Sequence, residues 1–265
     1  MPVQEADGLL YETRGDGEAV LLIHGSHIAD SFLPLMTQPA LTDGFRLVRS
    51  RRRGFRDSEL RPDSGDVRGQ ARDALGLLEH LGVDRAHVVG HSFGGLVATQ
   101  LALDEPGLVQ TLVLLEPVLF TRTEAAGLHE LMAPLEELYR SGDAATAVDR
   151  FLSNDGQNDW RAEIRDTVPG GAEQAIDDAA TFFDVDLPAI QQRTFEADGD
   201  ERLAMPVLHI SGADTTHPNR HAVIAAMASN LEAVEIPDVG HGLQMAKPAA
   251  VAQPIAAFLL RHPIA

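Results

Sequence analysis

The chain contains no cysteine among its 265 residues. Disulfide staples, a thiol nucleophile and thiolate metal sites are therefore excluded, while the compartment stays open because a cysteine-free chain survives anywhere. Lysine is nearly missing too: Lys247 is the single one among 21 basic residues, which removes most candidates for a Schiff-base or general-base lysine. Against 40 acidic residues that leaves a net charge of −19, unlike the clustered Lys and Arg surface a nucleic-acid partner needs. No apolar run approaches the ~20 residues of a membrane-crossing helix, and no membrane association is expected. The N-terminal Met-Pro-Val-Gln-Glu-Ala-Asp has no basic segment followed by an apolar one, so a secretory leader is not expected and the cytoplasm is. The basic run from Arg49 to Arg56, with arginine at 49, 51, 52, 53 and 56, reads as a loop whose guanidinium groups pair with neighbouring carboxylates rather than as a phosphate patch.

What is present is an alternation of strands and helices. Leu9 to Thr13, Ala19 to Ile23, Phe45 to Arg49, Ala86 to Val89, Thr111 to Leu115, Val207 to Ser211 and Ala233 to Ile236 are strand-sized apolar runs, several of them continuous, as in parallel sheets buried on both faces. Helical spacing marks Asp66 to Leu81, Gly94 to Leu103, Asn219 to Met227 and Val251 to Leu260. The rhythm predicts an α/β fold, a mostly parallel sheet with helices on both faces. From about Val118 to Leu203 the pattern is helical only: Leu128 to Tyr139, Asp143 to Leu152, Asp159 to Thr167 and Glu173 to Phe183. An all-helical stretch between two strands must leave the sheet and return, and it most economically forms a cap over the strand ends where ligands bind. Residues 1–117 and 204–265 are then the core, and 118–203 the helical cap.

Chemistry concentrates at Gly90-His-Ser92-Phe-Gly94-Gly95, which follows the strand ending at Val89 and opens a helix. A Gly-x-Ser-x-Gly in that setting is a nucleophile elbow: the sharp turn lifts the serine hydroxyl out of the sheet and aims a helix N-terminus at whatever the oxygen attacks. An ordinary phosphate-binding loop would instead show Gly-Lys-Ser/Thr or Gly-x-Gly-x-x-Gly, and neither occurs here. A serine nucleophile needs a base, an orienting acid and donors for the oxyanion. His241, between Gly240 and Gly242 after the last strand, is the candidate base. The N–H of Phe93 and the N–H of Ser26, with Gly25 as its alternative, are the candidate oxyanion donors, and His24 is expected to be a structural hydrogen-bonder in that loop. Asp214, His217 and His221 form a weak metal-ligand pattern, and no metal is expected. Trp160, Phe182, Phe183 and Tyr139 either wall a pocket or pack the cap onto the core.

The pieces Leu21-Leu-Ile-His-Gly25, Arg52-Arg-Gly-Phe55, Gly90-His-Ser-Phe-Gly-Gly95 and Gly240-His-Gly242 occur in the order found in the α/β-hydrolase superfamily, which the chain resembles over nearly its whole length. Arg51 stands where many relatives carry an acid, a departure that concerns loop packing. The resemblance implies a cofactor-free Ser-acid-His hydrolase with a helical cap. It leaves the acid open. Many relatives carry it three positions beyond a glycine after the penultimate strand, where this chain has Thr215, with Asp214 one residue early. Glu116, at the end of the strand Thr111 to Leu115, is the favoured candidate, and a branch resembling the zearalenone-degrading lactonases uses a Glu in this Glu-Pro context. Pro117 is expected to hold Glu116 extended. The expected activity is hydrolysis of a carboxylic ester or lactone of a small to medium, largely apolar substrate. The alternatives are a non-hydrolytic enzyme of the same architecture (a C–C lyase, perhydrolase or cyclase) and a ligand-binding protein with little turnover. The oligomeric state is not legible.

Overall fold

Several strands of this chain carry unbroken apolar runs, such as Ala19 to Ile23 and Leu112 to Leu115, and the consequence is a sheet covered on both sides. The computed structural model describes residues 2–61, 65–153, 159–196, 201–215 and 220–264. Eight strands, β1 (Gln4–Ala6), β2 (Leu9–Arg14), β3 (Glu18–Ile23), β4 (Phe45–Ser50), β5 (Ala86–His91), β6 (Val109–Leu115), β7 (Val207–Gly212) and β8 (Leu231–Ile236), form one sheet in the order β1-β2-β4-β3-β5-β6-β7-β8. The first two pairings are antiparallel and all the others parallel. Side chains of β3 alternate between two clusters: Leu21 and Ile23 join one, Val20 and Leu22 the other. That alternation explains why the run is continuous in sequence, since both faces exclude water.

The helices are α1 (Pro39–Thr42), α2 (Val67–His80), α3 (Phe93–Asp104), α4 (Arg122–Arg140), α5 (Ala144–Leu152), α6 (Trp160–Ile164), α7 (Gly171–Asp177), α8 (Ala179–Thr181), α9 (Leu187–Gln192), α10 (Arg220–Met227), α11 (Leu243–Ala246) and α12 (Pro248–Arg261), with a π-helical turn at Phe182–Asp186. One face of the sheet takes α2, α3 and α10, through residues such as Leu78, Leu101 and Ile224, and the other takes α12 through Ile255 and Leu259. Asp66 caps α2 by accepting the Gly69 N–H at 2.6 Å, and Gly82, at φ 63°, takes the left-handed conformation just beyond its end. From α4 to α9 the chain is inserted between β6 and β7 and has a hydrophobic cluster of its own, in which Met132, Val148, Trp160, Ile164, Phe182 and Phe183 are buried. Ile28 and Met245 reach into this cluster from the sheet's loops. Among the described residues no helix is long and apolar enough to cross a membrane.

The strands anticipated from sequence are all found, and β1 is added. Gln-Glu-Ala has no apolar alternation; it is a strand only because it pairs at the edge with β2. The single helix expected over Glu173 to Phe183 is α7, α8 and the π turn in succession. Pro188 explains the irregular end: it has no N–H to give the Asp184 carbonyl, so the regular ladder cannot run through, and the proline sits in the first turn of α9 instead. The expected first residue of α10, Asn219, lies outside the described residues.

Candidate active site

Ser92 occupies the turn between β5 and α3 with φ 54° and ψ −121°. A side-chain-bearing residue at positive φ is strained, and such strain persists only where surroundings over-determine it. Those surroundings are backbone: Ser92 N–H donates to the Leu115 carbonyl at 3.0 Å, and the Ser92 carbonyl accepts from Val118 N at 3.1 Å. Gly94 is required by close approach, because a Cβ there would meet the Ile23 carbonyl oxygen at 2.1 Å. The first turn of α3 therefore lies directly against the end of β3.

Glu116 follows β6 and His241 follows β8. His241 Nδ1 lies 3.8 Å from Glu116 Oε2, an ion-pair distance longer than a hydrogen bond. Such contacts are often loose before substrate binds. The carboxylate is otherwise held firmly: Oε1 accepts the Gly212 N–H at 2.8 Å and Oε2 the Thr215 hydroxyl at 2.7 Å. Burial pushes the Glu116 pKa up, but the His241 imidazole, the Gly212 amide and the Thr215 hydroxyl outweigh it and hold the group at about 2. Glu116 is not extended as Pro117 led us to expect; its φ is 44°. Its N–H is bonded to Ile210 at 3.1 Å, so the ladder continues to this residue and the chain must turn at once, with the side chain over β7. Asp214 is exposed, one residue before Thr215 in a turn closed by Thr215 N–H to Gly212 at 3.2 Å.

Ser26 and Gly25 lie beside Ser92. A Cβ on Gly25 would sit 2.9 Å from Ser92 Cβ, so only glycine permits this approach. Among the described residues neither the Ser26 N–H nor the Phe93 N–H has a hydrogen-bond partner. His24 is a structural link: Nε2 accepts the Arg52 N–H at 2.8 Å, so Nδ1 carries the proton and donates to the Gly25 carbonyl at 2.6 Å. Burial, and then the Arg52 charge, drive its pKa well below the usual histidine value.

The model of the alpha/beta hydrolase family matches residues 20–253. The chain belongs to the alpha/beta hydrolase family. Within it, the chain is 32% identical over 216 residues to the 2-hydroxymuconate semialdehyde hydrolase of Pseudomonas putida, covering 73% of the chain and 74% of that protein. It is 36% identical over 109 residues to the soluble epoxide hydrolase of Corynebacterium sp. (strain C12), covering 41% of the chain and 37% of that protein. The first of the curated relatives are matched over only about two fifths of their length. In fold the chain resembles a thermophilic esterase from Thermogutta terrifontis, with a TM-score of 0.79 at 22% identity, covering 96% of this chain and 94% of that one.

Several residues of the candidate site escape sequence reasoning. Thr215, at the position where many relatives carry the acid, donates to Glu116 instead. His91 donates from Nε2 to the His241 carbonyl at 2.9 Å, tethering the loop of the candidate base, and burial holds its pKa near 3. The basic run is engaged by carboxylates: Arg49 by Glu12 and Asp30, Arg53 by Asp73, Arg56 by Asp30 and Arg52 by Asp186. Pairing was anticipated, but that Arg52 reaches the insertion was not. Trp160, Phe182 and Phe183 pack the insertion's interior, and Tyr139 stacks on Phe183 with centroids 4.7 Å apart. His221 stacks with His209 at 5.8 Å, His217 lies outside the described residues, and among the described residues no three metal-ligating side chains gather.

Proposed function

We propose that this alpha/beta hydrolase cleaves a carboxylic ester or lactone through Ser92, His241 and Glu116. The observation that carries the reading is the positive-φ Ser92 at the end of β5, flanked by a Glu116–His241 pair delivered from the ends of β6 and β8. Ser92 Oγ attacks the carbonyl carbon while His241 takes its proton, and the charge on the carbonyl oxygen is met by the N–H groups of Ser26 and Phe93. Glu116, ionised across the working pH range, keeps the Nδ1 proton in place and stabilises the imidazolium. Collapse of the tetrahedral adduct expels the alcohol with the proton from His241. The imidazole then activates water to release the acid and free Ser92. The chemistry asks nothing of a cofactor. Residues 118–203 serve as a cap that shapes the acyl or alcohol pocket, which favours a small to medium, largely apolar substrate over a polymer.

A second reading is carbon–carbon bond hydrolysis, favoured by the 216-residue match to a semialdehyde hydrolase. A serine hydroxyl at position 92, rather than a carboxylate, speaks against epoxide opening through an alkyl-enzyme ester. Labelling with a fluorophosphonate, followed by mass detection of products from aryl esters, macrolactones and a dienoate semialdehyde, tests the proposal. Modification of Ser92, its loss in Ser92→Ala, and ester turnover are expected. An unlabelled Ser92 defeats the nucleophile, and turnover of the semialdehyde alone moves the reaction to the second class.

A further inference from the structure

Arg52, in the loop after β4, uses all five of its N–H groups. Nε donates to the His24 carbonyl at 3.0 Å and Nη2 to the Gly25 carbonyl at 3.1 Å, while Nη1 donates to Gln70 Oε1 at 2.5 Å. The remaining two reach Asp186, at 2.9 Å from Nη1 to Oδ1 and 2.7 Å from Nη2 to Oδ2. Its guanidinium carbon is 4.5 Å from the ring centroids of both Phe55 and Phe93. Asp186 is fully buried at the end of the π turn and takes a further bond from the Ser26 hydroxyl at 2.6 Å. An insertion carboxylate is thus bonded directly to Ser26 and through Arg52 to His24, Gly25 and the ring of Phe93.

We infer that Asp186 is a positioning residue: by holding Arg52 and the Ser26 hydroxyl, it orients the 24–26 loop so that its amides face the oxyanion. Peptide planarity supplies the link. The Gly25 carbonyl and the Ser26 N–H belong to one trans unit, so fixing the carbonyl toward Arg52 aims the N–H the opposite way. Gly25 itself abuts Ser92, which puts that amide on the reacting side. The insertion therefore contributes to rate as well as to pocket shape. π-helical turns tend to occur at functional sites, and this one ends on the carboxylate that does the holding. The segment around it is anchored independently, by the Arg56 N–H to Asp178 Oδ1 at 3.0 Å and by the Thr181 hydroxyl to the Gly54 carbonyl at 2.5 Å. Losing the Asp186 contacts need not undock the segment.

The inference rests on the proposed oxyanion role of the loop, so two readouts are needed. In Asp186→Asn, amide hydrogen exchange at residues 25–27 is expected to rise at least about tenfold with β3 unchanged. In aryl-ester hydrolysis, kcat is expected to fall roughly 100-fold with KM within about twofold, since a small misplacement of transition-state groups has that effect. Thr181→Val, which loosens the same segment without touching the loop, is expected to keep kcat within about twofold. Arg52→Met with Asp186→Leu removes both buried charges; its melting temperature is expected to recover relative to Asp186→Asn while kcat stays low. Wild-type kcat in Asp186→Asn or in the double variant overturns the inference, as does equal loss in Thr181→Val. If the wild-type protein turns over no ester, the proposed function fails, while the exchange measurement still decides whether Asp186 orders the loop: unchanged exchange overturns the inference independently.

Discussion

The two halves of the candidate site are built in opposite ways. On one side His24, Gly25 and Ser26 are gripped by a buried guanidinium and a buried carboxylate, the guanidinium held in turn by Gln70, with no bond longer than 3.1 Å. On the other, the His241 side chain is 41% exposed and sits 3.8 Å from the carboxylate that would orient it. The difference follows from the tasks proposed for the two sides. Donors that receive a developing charge gain most by being fixed beforehand, since reorganisation during the reaction is what they save. An imidazole that takes a proton from a nucleophile and hands it to a leaving group must serve two positions, and a slightly loose seat permits that.

Removing the carboxylate on the loose side should produce the largest effect. Glu116→Gln preserves shape and keeps hydrogen-bonding atoms near Gly212 and Thr215 but loses the charge, and kcat is expected to fall about 10³- to 10⁴-fold. Asp214→Asn, on the exposed turn, should stay within about twofold. Steady-state kinetics of both variants decide between the two carboxylates, and the reverse result would give the acid's role to Asp214. Stability carries a second signature. Glu116 titrates near 2 in the fold against an ordinary 4.5, so its contribution is complete above pH 4.5 and is lost as pH falls from there toward 2. Denaturant melts at several pH values should therefore show a flatter acid limb for Glu116→Gln over that window.

The firm side has its own acid weakness. His27, next to the gripped loop, is fully buried between the rings of Phe151 and Phe182, with centroids 5.0 and 4.2 Å away. Among the described residues neither ring nitrogen has a hydrogen-bond partner, and burial, with the Arg52 charge behind it, pushes its pKa to about 3. The unfolded chain binds a proton there below about 6.5 and the folded chain does not, so stability is complete above that pH and declines as pH drops toward 3. At pH 4.5 the loss attributable to this one group is about 3 kcal/mol. His27→Asn suits the positive φ of 67° at this position and should reduce the fall in unfolding free energy between pH 7.5 and 4.5 by about that amount, whatever its baseline stability. An unchanged slope would mean that another buried histidine, such as His24 or His91, dominates.

The contrast between the halves also tracks what could be read from sequence. Ser92 was legible because a strand, Gly-x-Ser-x-Gly and a helix are contiguous, and the elbow is a local consequence of that order. The sheet was legible for the same reason, since parallel strands buried on both faces leave continuous apolar runs. Glu116 was visible only as one of two candidates, because the choice turns on where a side chain points after a positive-φ residue, and Pro117 suggested the wrong backbone. The Arg52–Asp186 pair was illegible: its members are 134 positions apart, and one of them ends a π turn that runs past Phe183, where the expected helix stopped. Long-range polar contacts leave no period. Motifs reported the groups proposed to react, and tertiary structure alone reported the groups that hold them.

Thr215 offers the smallest and sharpest probe of the loose side. Among the described residues its hydroxyl and the Gly212 N–H donate hydrogen bonds to Glu116, and the hydroxyl touches the same oxygen that faces His241. If Glu116 orients the imidazole, Thr215→Val should leave the carboxylate pinned only through Oε1 and free to swing, while an isosteric side chain keeps the packing. One charge-assisted hydrogen bond corresponds to roughly a tenfold loss in kcat, with KM little changed. Thr215→Ser restores the hydroxyl and should recover most of the rate. Because the serine variant differs from valine in hydrogen bonding and from threonine in one methyl group, the pair separates orientation from packing. A valine variant with undiminished kcat would show that Gly212 alone suffices to aim Glu116, and that the looseness at His241 extends no further into the site.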